Sequence, residues 1–192
     1  MTIKSQSLTT RCDWCLRSAS YINYHDKIWG VPIYNDQQLF RVLSLEINQA
    51  GLSYLTILNK TKDYDLAFKD FNINLVAKYD VDDINNMIKN TTIIKNYSKI
   101  NAVINNANMV KSLQKKFQSF NNYLWQYVNY KPVKHRFESV HDIPTQDSLS
   151  RQIASDMKKI GFKLVGPVSI YSFLQATGIY QDHVVNCFKY EP

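Results

Sequence analysis

The sequence predicts an all-α protein. Apolar residues recur every three or four positions through most of the 192 residues, alternating strand-like runs are few, and residues that start and stop helices punctuate the periodic stretches. Met1 to Arg11 is polar and lacks the apolar core of a signal peptide, so residues 1–10 read as a short extension and 11–192 as one unit. Asn35 or Asp36 is placed to cap a first clear helix, which carries Leu39, Leu43, Ile47 and Ala50 on its core side and stops at Gly51. A second helix is expected around Ser53 to Lys60. Thr61 is placed to cap Lys62 to Phe71, Asn74 precedes Leu75 to Tyr79, and Asp80 with Asp83 marks a short helix ending near Asn90. Ile93 to Phe117 reads as one long helix and Phe120 to Val128 as an aromatic one. Asn129 to Gln146, with Pro132 and Pro144, reads as a surface connection. Asp147 opens a helix that Gly161 closes, Pro167 opens the next and Gly178 stops it, leaving Tyr180 to Lys189 as a short final segment.

Twenty-three Lys and Arg against sixteen Asp and Glu give a net charge of +7, which favours a polyanionic partner such as nucleic acid or an acidic membrane surface. No stretch approaches the roughly 20 apolar residues of a membrane span, and the expected compartment is the cytoplasm. The three cysteines, Cys12, Cys15 and Cys187, are an odd number without an export signal, which argues for metal binding or burial rather than a disulfide framework.

His183 and Cys187 are four apart, so on a helical turn both project from one face at a separation that suits two ligands of one ion. Near the other end, Cys12 offers two pairings, with Cys15 or with His25. Spacing alone leaves both open, and either completes four nitrogen and sulfur ligands. Such a site leaves no coordination position free, so its role would be structural, and it would close nearly the whole chain into a loop.

Between these termini and the first clear helix lie Trp14, Tyr21, Tyr24 and Trp29, followed by Glu46 and Tyr54. Flat rings of this kind stack on an extruded base, although rings are equally the stuff of a core. Glu46 tips the balance. It interrupts the stripe of Leu39, Val42, Leu43 and Ala50 instead of facing solvent, and a buried acid marks a candidate site.

Taken together, RCDWC (11–15), YINYHDKIWGVP (21–32), LEINQAGLSY (45–54), IGFKLVGP (160–167), YSFLQATG (171–178) and DHVVNC (182–187) resemble bacterial 3-methyladenine DNA glycosylase I, in that family's order across Arg11 to Cys187. The resemblance implies a helix-hairpin-helix glycosylase fold, one structural zinc ion, and release of 3-methyladenine from alkylated double-stranded DNA. It also implies Cys12, His25, His183 and Cys187 as zinc ligands, Glu46 and Tyr24 as the groups that bond the base, and Trp14, Tyr21 and Trp29 as pocket walls.

Tyr54 stands where the family has a Trp that stacks on the base. The Gln49-Ala50-Gly51-Leu52 turn matches the segment that probes the gap in the duplex. Before Ile93 the family usually has Gly and this chain has Thr91-Thr92; Thr92 is expected to cap the next helix, whose amides suit a phosphate, with Lys95 and Lys99 adding charge. No lysine stands out in the matched pocket blocks, so base release without strand cleavage is expected, by a monomer. A binding-only module that senses alkylated bases is the alternative reading.

Overall fold

The computed structural model describes residues 9–192. Residues 1–8, most of the expected extension, lie outside the described residues. The chain is mostly helical. Helix α1 (Ala19–Lys27) follows a short 3-10 turn at Asp13–Arg17 and is capped by Ser18, whose hydroxyl accepts from Tyr21 N at 3.2 Å. The sequence reading had assigned no helix here, because the buried face of α1 consists of Tyr24 and His25 rather than aliphatic residues.

Helix α2 (Asp36–Gln49) is central. Asn35 caps it, accepting from Gln38 N at 3.0 Å, and every residue from Val42 to Asn48 is buried. It packs against α3 (Tyr54–Leu58), α7 (Tyr97–Phe117), α8 (Phe120–Trp125) and α10 (Pro167–Ala176). Contact on so many sides explains why Glu46 cannot reach water as a surface Glu does. Gly51, at φ +81°, stops α2 in the left-handed region as expected.

Between α3 and α7 come α4 (Thr61–Ala67), α5 (Ile73–Val76) and α6 (Val81–Asn90). Asp80 and Asp83 form the capping box of α6. Thr61 does not cap α4. It is the first helical residue, and its hydroxyl donates back to Leu58 O at 2.8 Å.

Helix α7 begins at Tyr97 rather than Ile93. Its cap is Asn96, which accepts from Lys99 N at 3.0 Å, so the expected cap at Thr92 is corrected. Residues 91–96 are irregular instead: Thr91 Oγ1 donates to Met87 O at 2.7 Å, and Ile94 N donates to the Tyr64 hydroxyl at 3.3 Å. Four consecutive β-branched residues, Thr91 to Ile94, favour that extended path, and Asn caps better than Thr.

Helices α9 (Ser148–Ile160) and α10 pack closely on each other as a hairpin. Asp147 caps α9 and Gly161 closes it at φ +110°; Pro167 is the first residue of α10, which ends at Thr177 before Gly178. The expected surface connection 129–146 carries a short strand that no local pattern announced. Strand β1 (Val133–Lys134) pairs in parallel with β2 (Tyr180–Gln181), Val133 opposite Tyr180. This pairing ties residues 133–145 to the C-terminal segment.

Lys99 has an internal task. Its Nζ donates to Asn48 O at 2.8 Å and Ala50 O at 2.6 Å, placing a cation on the carbonyl end of α2. Lys99→Met is expected to lower stability by about 1–2 kcal/mol in urea denaturation. Unchanged stability with weakened DNA binding would instead return Lys99 to the surface role that the sequence suggested.

Candidate functional site

Glu46 lies on the buried side of α2 and is 3% exposed. Its carboxyl accepts no hydrogen bond among the described residues, and burial pushes its pKa up to about 8 from an ordinary 4.5. A carboxyl in that state is protonated near neutrality and returns to its anion when a cation or strong donors arrive.

Above it opens a cleft of about 430 Å³. Trp14, Tyr21, Tyr24, Trp29, Glu46 and Tyr54 all line it, so the acid and the five rings singled out around it meet in one place. Trp14 is the hub, edge-on to Tyr21 at 5.6 Å and to Trp29 at 5.2 Å. Tyr21 and Tyr54 lie nearly parallel, 15° apart with centroids at 6.4 Å, and Tyr24 is tilted against Tyr54 at 4.9 Å. Burial raises the Tyr24 hydroxyl pKa well above its ordinary value, and the neighbouring Tyr54 and Glu46 add to the shift, so Tyr24 keeps its proton and remains a donor.

The opposite wall escaped the sequence reading. Val140, Ile143, Pro144 and Thr145 come from the segment after β1, and Val168, Tyr171, Ser172 and Gln175 from one face of α10. A signal was available on α10: Ser172 and Gln175 interrupt a mostly apolar helix, as Glu46 interrupts the stripe on α2. Behind this wall is Asp182, fully buried, which accepts from the Tyr171 hydroxyl and Gln175 Nε2, both at 2.8 Å, and from His135 Nδ1 at 2.7 Å.

Of the residues expected to meet DNA, Gln49 lines the cleft. Gly51 and Leu52 form the exposed turn beyond α2, where Leu52 N donates to Gln49 O at 2.7 Å and the side chain is 39% exposed. Thr92 and Lys95 are exposed on the irregular stretch before α7, with Lys60 Nζ donating to Thr92 O, and Lys99 is engaged on α2 as described.

Cys12, His25, His183 and Cys187 are buried together, their ligand atoms all within 4.8 Å of one another. Cys12 Sγ lies 3.7 Å from His183 Nδ1, and Cys187 Sγ lies 3.6 Å from His183 Nδ1 and 3.4 Å from His25 Nε2. Cys15, the alternative partner for Cys12, is buried but stands outside this group. The expectation that His183 and Cys187 share a helical turn is corrected: the segment runs through non-helical turns, one closed by Cys187 N on Val184 O at 2.8 Å.

His25 is oriented by Asp26, Nδ1 to Oδ1 at 2.8 Å, and Arg11 grips the same carboxylate at 2.9 Å through both Nε and Nη2. This is the outer support that a metal-binding imidazole requires. Gly30, at φ +76°, passes so close to His183 that a Cβ there would meet Nε2 at 3.0 Å. Gly178 is tighter still, with a Cβ landing 2.4 Å from Pro32 N. These two glycines let the loop after α1 pass between the ligand group and the end of α10. Trp29 on that loop packs edge-on against His183 at 4.7 Å and also lines the cleft, so the ligand group and the pocket share a wall.

A mostly helical chain with a buried carboxyl beneath rings, in a cleft wide enough for one flipped base, has the make-up of a helical DNA glycosylase. The chain belongs to the methyladenine glycosylase family, which matches residues 14–190. A DNA-3-methyladenine glycosylase of Haemophilus influenzae is 35% identical over 180 residues, 94% of this chain and 97% of that protein. DNA-3-methyladenine glycosylase 1 of Escherichia coli is 37% identical over 180 residues, covering 94% and 96%. The solved structure of 3-methyladenine DNA glycosylase I from Staphylococcus aureus, described for its recognition of 3-methyladenine, superposes with a TM-score of 0.91 at 37% identity, covering 95% of this chain and 97% of that one.

Proposed function

We propose that this protein acts in base-excision repair, hydrolysing the N-glycosidic bond that holds 3-methyladenine in alkylated double-stranded DNA. The observation that carries this reading is the buried, unpartnered Glu46 at the base of an aromatic cleft. Methylation at N3 makes the adenine cationic and weakens its bond to deoxyribose, so the leaving group needs no strong acid. What the protein must supply is selection and binding. The extruded ring stacks on Tyr54, Glu46 and Tyr24 bond its edge, and water completes hydrolysis. The cation draws Glu46 to its ionised form, an interaction that undamaged, neutral adenine does not provide. Tyr54 gives a smaller face than Trp, and its stacking is weaker by a fraction of the roughly 1–3 kcal/mol that such contacts supply.

For the four-residue group we propose one structural zinc ion. Bonds of about 2.3 Å to sulfur and 2.0–2.1 Å to nitrogen in a tetrahedron place neighbouring ligand atoms roughly 3.3–3.8 Å apart. The three separations of 3.4, 3.6 and 3.7 Å fall in that range. The thiols argue the same way. Cys187 is held far below the usual thiol range by its hydrogen bond with Cys12, helped by His183 and His25, while Cys12 is pushed up. Without a cation only one of the pair ionises, whereas zinc accommodates both as thiolates.

Two helical hairpins are available to grip DNA. Thr92 and Lys95 lie in the α6–α7 connection, but α9–α10 fits the helix-hairpin-helix role better. Its turn exposes Leu164 at φ +56°, Gly166 opens α10 with no side-chain cap, and Lys158, Lys159 and Lys163 stand nearby. Uncapped amides suit a phosphate, and α10 also lines the cleft. Leu52 is the residue placed to fill the gap left by the flipped nucleotide.

Incubation with DNA methylated by dimethyl sulfate, followed by chromatography of the free bases, tests the reading. Release of 3-methyladenine with the strand left intact is expected. Tight binding without release by folded, metal-bearing protein would favour the binding-only module, and strand cleavage would refute the monofunctional mechanism.

A further inference from the structure

The far wall of the cleft carries an arrangement that the mechanism above does not use. Tyr171 and Gln175 stand one turn apart on α10, and both line the cleft. Both turn their donors away from it. The Tyr171 hydroxyl and Gln175 Nε2 each donate to Asp182 Oδ2 at 2.8 Å, while His135 Nδ1 occupies Oδ1 at 2.7 Å.

A carboxylate in this setting only accepts, so Gln175 must present its NH₂ to Asp182. The choice between the two ends of the amide is therefore settled by chemistry rather than by the shape of the side chain. The carbonyl Oε1 is left over, and it meets no donor among the described residues. Gln175 and Tyr171 between them thus offer the cleft one acceptor and one ring, but neither of their donors. Because Asp182 is fully buried and holds three donors at once, turning the Gln175 amide over would set two acceptors against each other.

We propose that Gln175, held in this orientation by Asp182, is a specificity-determining acceptor that selects a purine carrying an exocyclic amino group over one carrying a keto oxygen at that position. This rests on the glycosylase reading. Gln175 touches the base; Asp182 acts through Gln175 as a positioning residue. An amino N–H meets Oε1 as a partner, whereas a keto oxygen meets it lone pair to lone pair and leaves the wall unsatisfied.

The test uses the free bases 3-methyladenine and 3-methylhypoxanthine, its 6-keto analogue, titrated against the metal-bearing protein and followed by quenching of the cleft tryptophans. Wild type is expected to bind the keto base at least roughly tenfold more weakly, the factor one well-placed hydrogen bond supplies. In Gln175→Leu the gap is expected to shrink to within about threefold. In Asp182→Asn it is expected to shrink as well, because the new amide donor lets Gln175 turn over. Equal affinities in wild type, or a tenfold gap that survives in Gln175→Leu, would overturn the proposal. A gap that survives only in Asp182→Asn would remove the positioning role. Gln175→Leu decides the selectivity by itself should Asp182→Asn not fold. Failure of the glycosylase reading would show separately, as no 3-methyladenine released from methylated DNA by wild type.

Discussion

Replacing Glu46 with Gln is expected to cut release of 3-methyladenine from methylated DNA by roughly 100- to 1000-fold, the scale on which a lost charge-stabilising group acts. The same substitution should make the free protein more stable. Folded Glu46 keeps its proton up to a pH of about 8, whereas in the unfolded chain it is lost near 4.5. Between those values the folded state binds more protons than the unfolded one, so the contribution of Glu46 to stability falls as pH rises across that window. The ceiling on that loss is about 4–5 kcal/mol, and a neutral Gln avoids it. Thermal melting should therefore show little difference between Glu46→Gln and wild type at pH 4.5 and a clear gain for the variant at pH 8. A gain that does not change with pH would mean that Glu46 is solvated and ionised throughout, and the buried-acid account would fall.

Removing the proposed zinc ion should have an effect of similar size on folding. A cross-link from Cys12 to Cys187 closes nearly the whole chain, and restricting an unfolded loop of that length is worth about 5 kcal/mol. For a chain of this size that corresponds to a fall in melting temperature of roughly 10–20 °C after chelation, and Cys187→Ser should show the same fall. Base release should decline with it, because Trp29 both packs against His183 and lines the cleft. Protein purified with no zinc, or Cys187→Ser melting with wild type, would remove the structural ion from the account.

What could be read from the sequence was whatever depends on neighbours along the chain. Asn35, Asp80 and Asp147 cap helices through side chains that reach two or three residues ahead, and their positions were legible for that reason. Glu46 was legible because one acid in an apolar stripe breaks a local period. The start of α7 was misplaced because Thr92 and Asn96 are both capping types. The Tyr64 hydroxyl, thirty residues away, takes the Ile94 N–H and helps hold that stretch out of the helix. The part of the cleft wall formed by residues 140–145 was invisible for the same reason. Residues 140–145 follow a two-residue strand that pairs with β2, and such a pairing has no period in either segment. The ligand group is the opposite case: spacing left Cys15 and His25 as rivals, and only the approach of both chain ends brings His25 to Cys187.

That meeting of the ends bears on how the protein comes into being. Cys12 and His25 leave the ribosome early, but the four-residue group they belong to is complete only once residue 187 has been translated. At about 5–20 residues per second this delay is on the order of ten seconds or more. During it α1 and its rings lack the Cys187 side of that group, and until residue 175 has been made a nascent chain already carrying Glu46 lacks part of the cleft lining. A chain stalled just before Cys187 carries every described helix and every residue that lines the cleft, and lacks one member of the four-residue group that ties its two ends together.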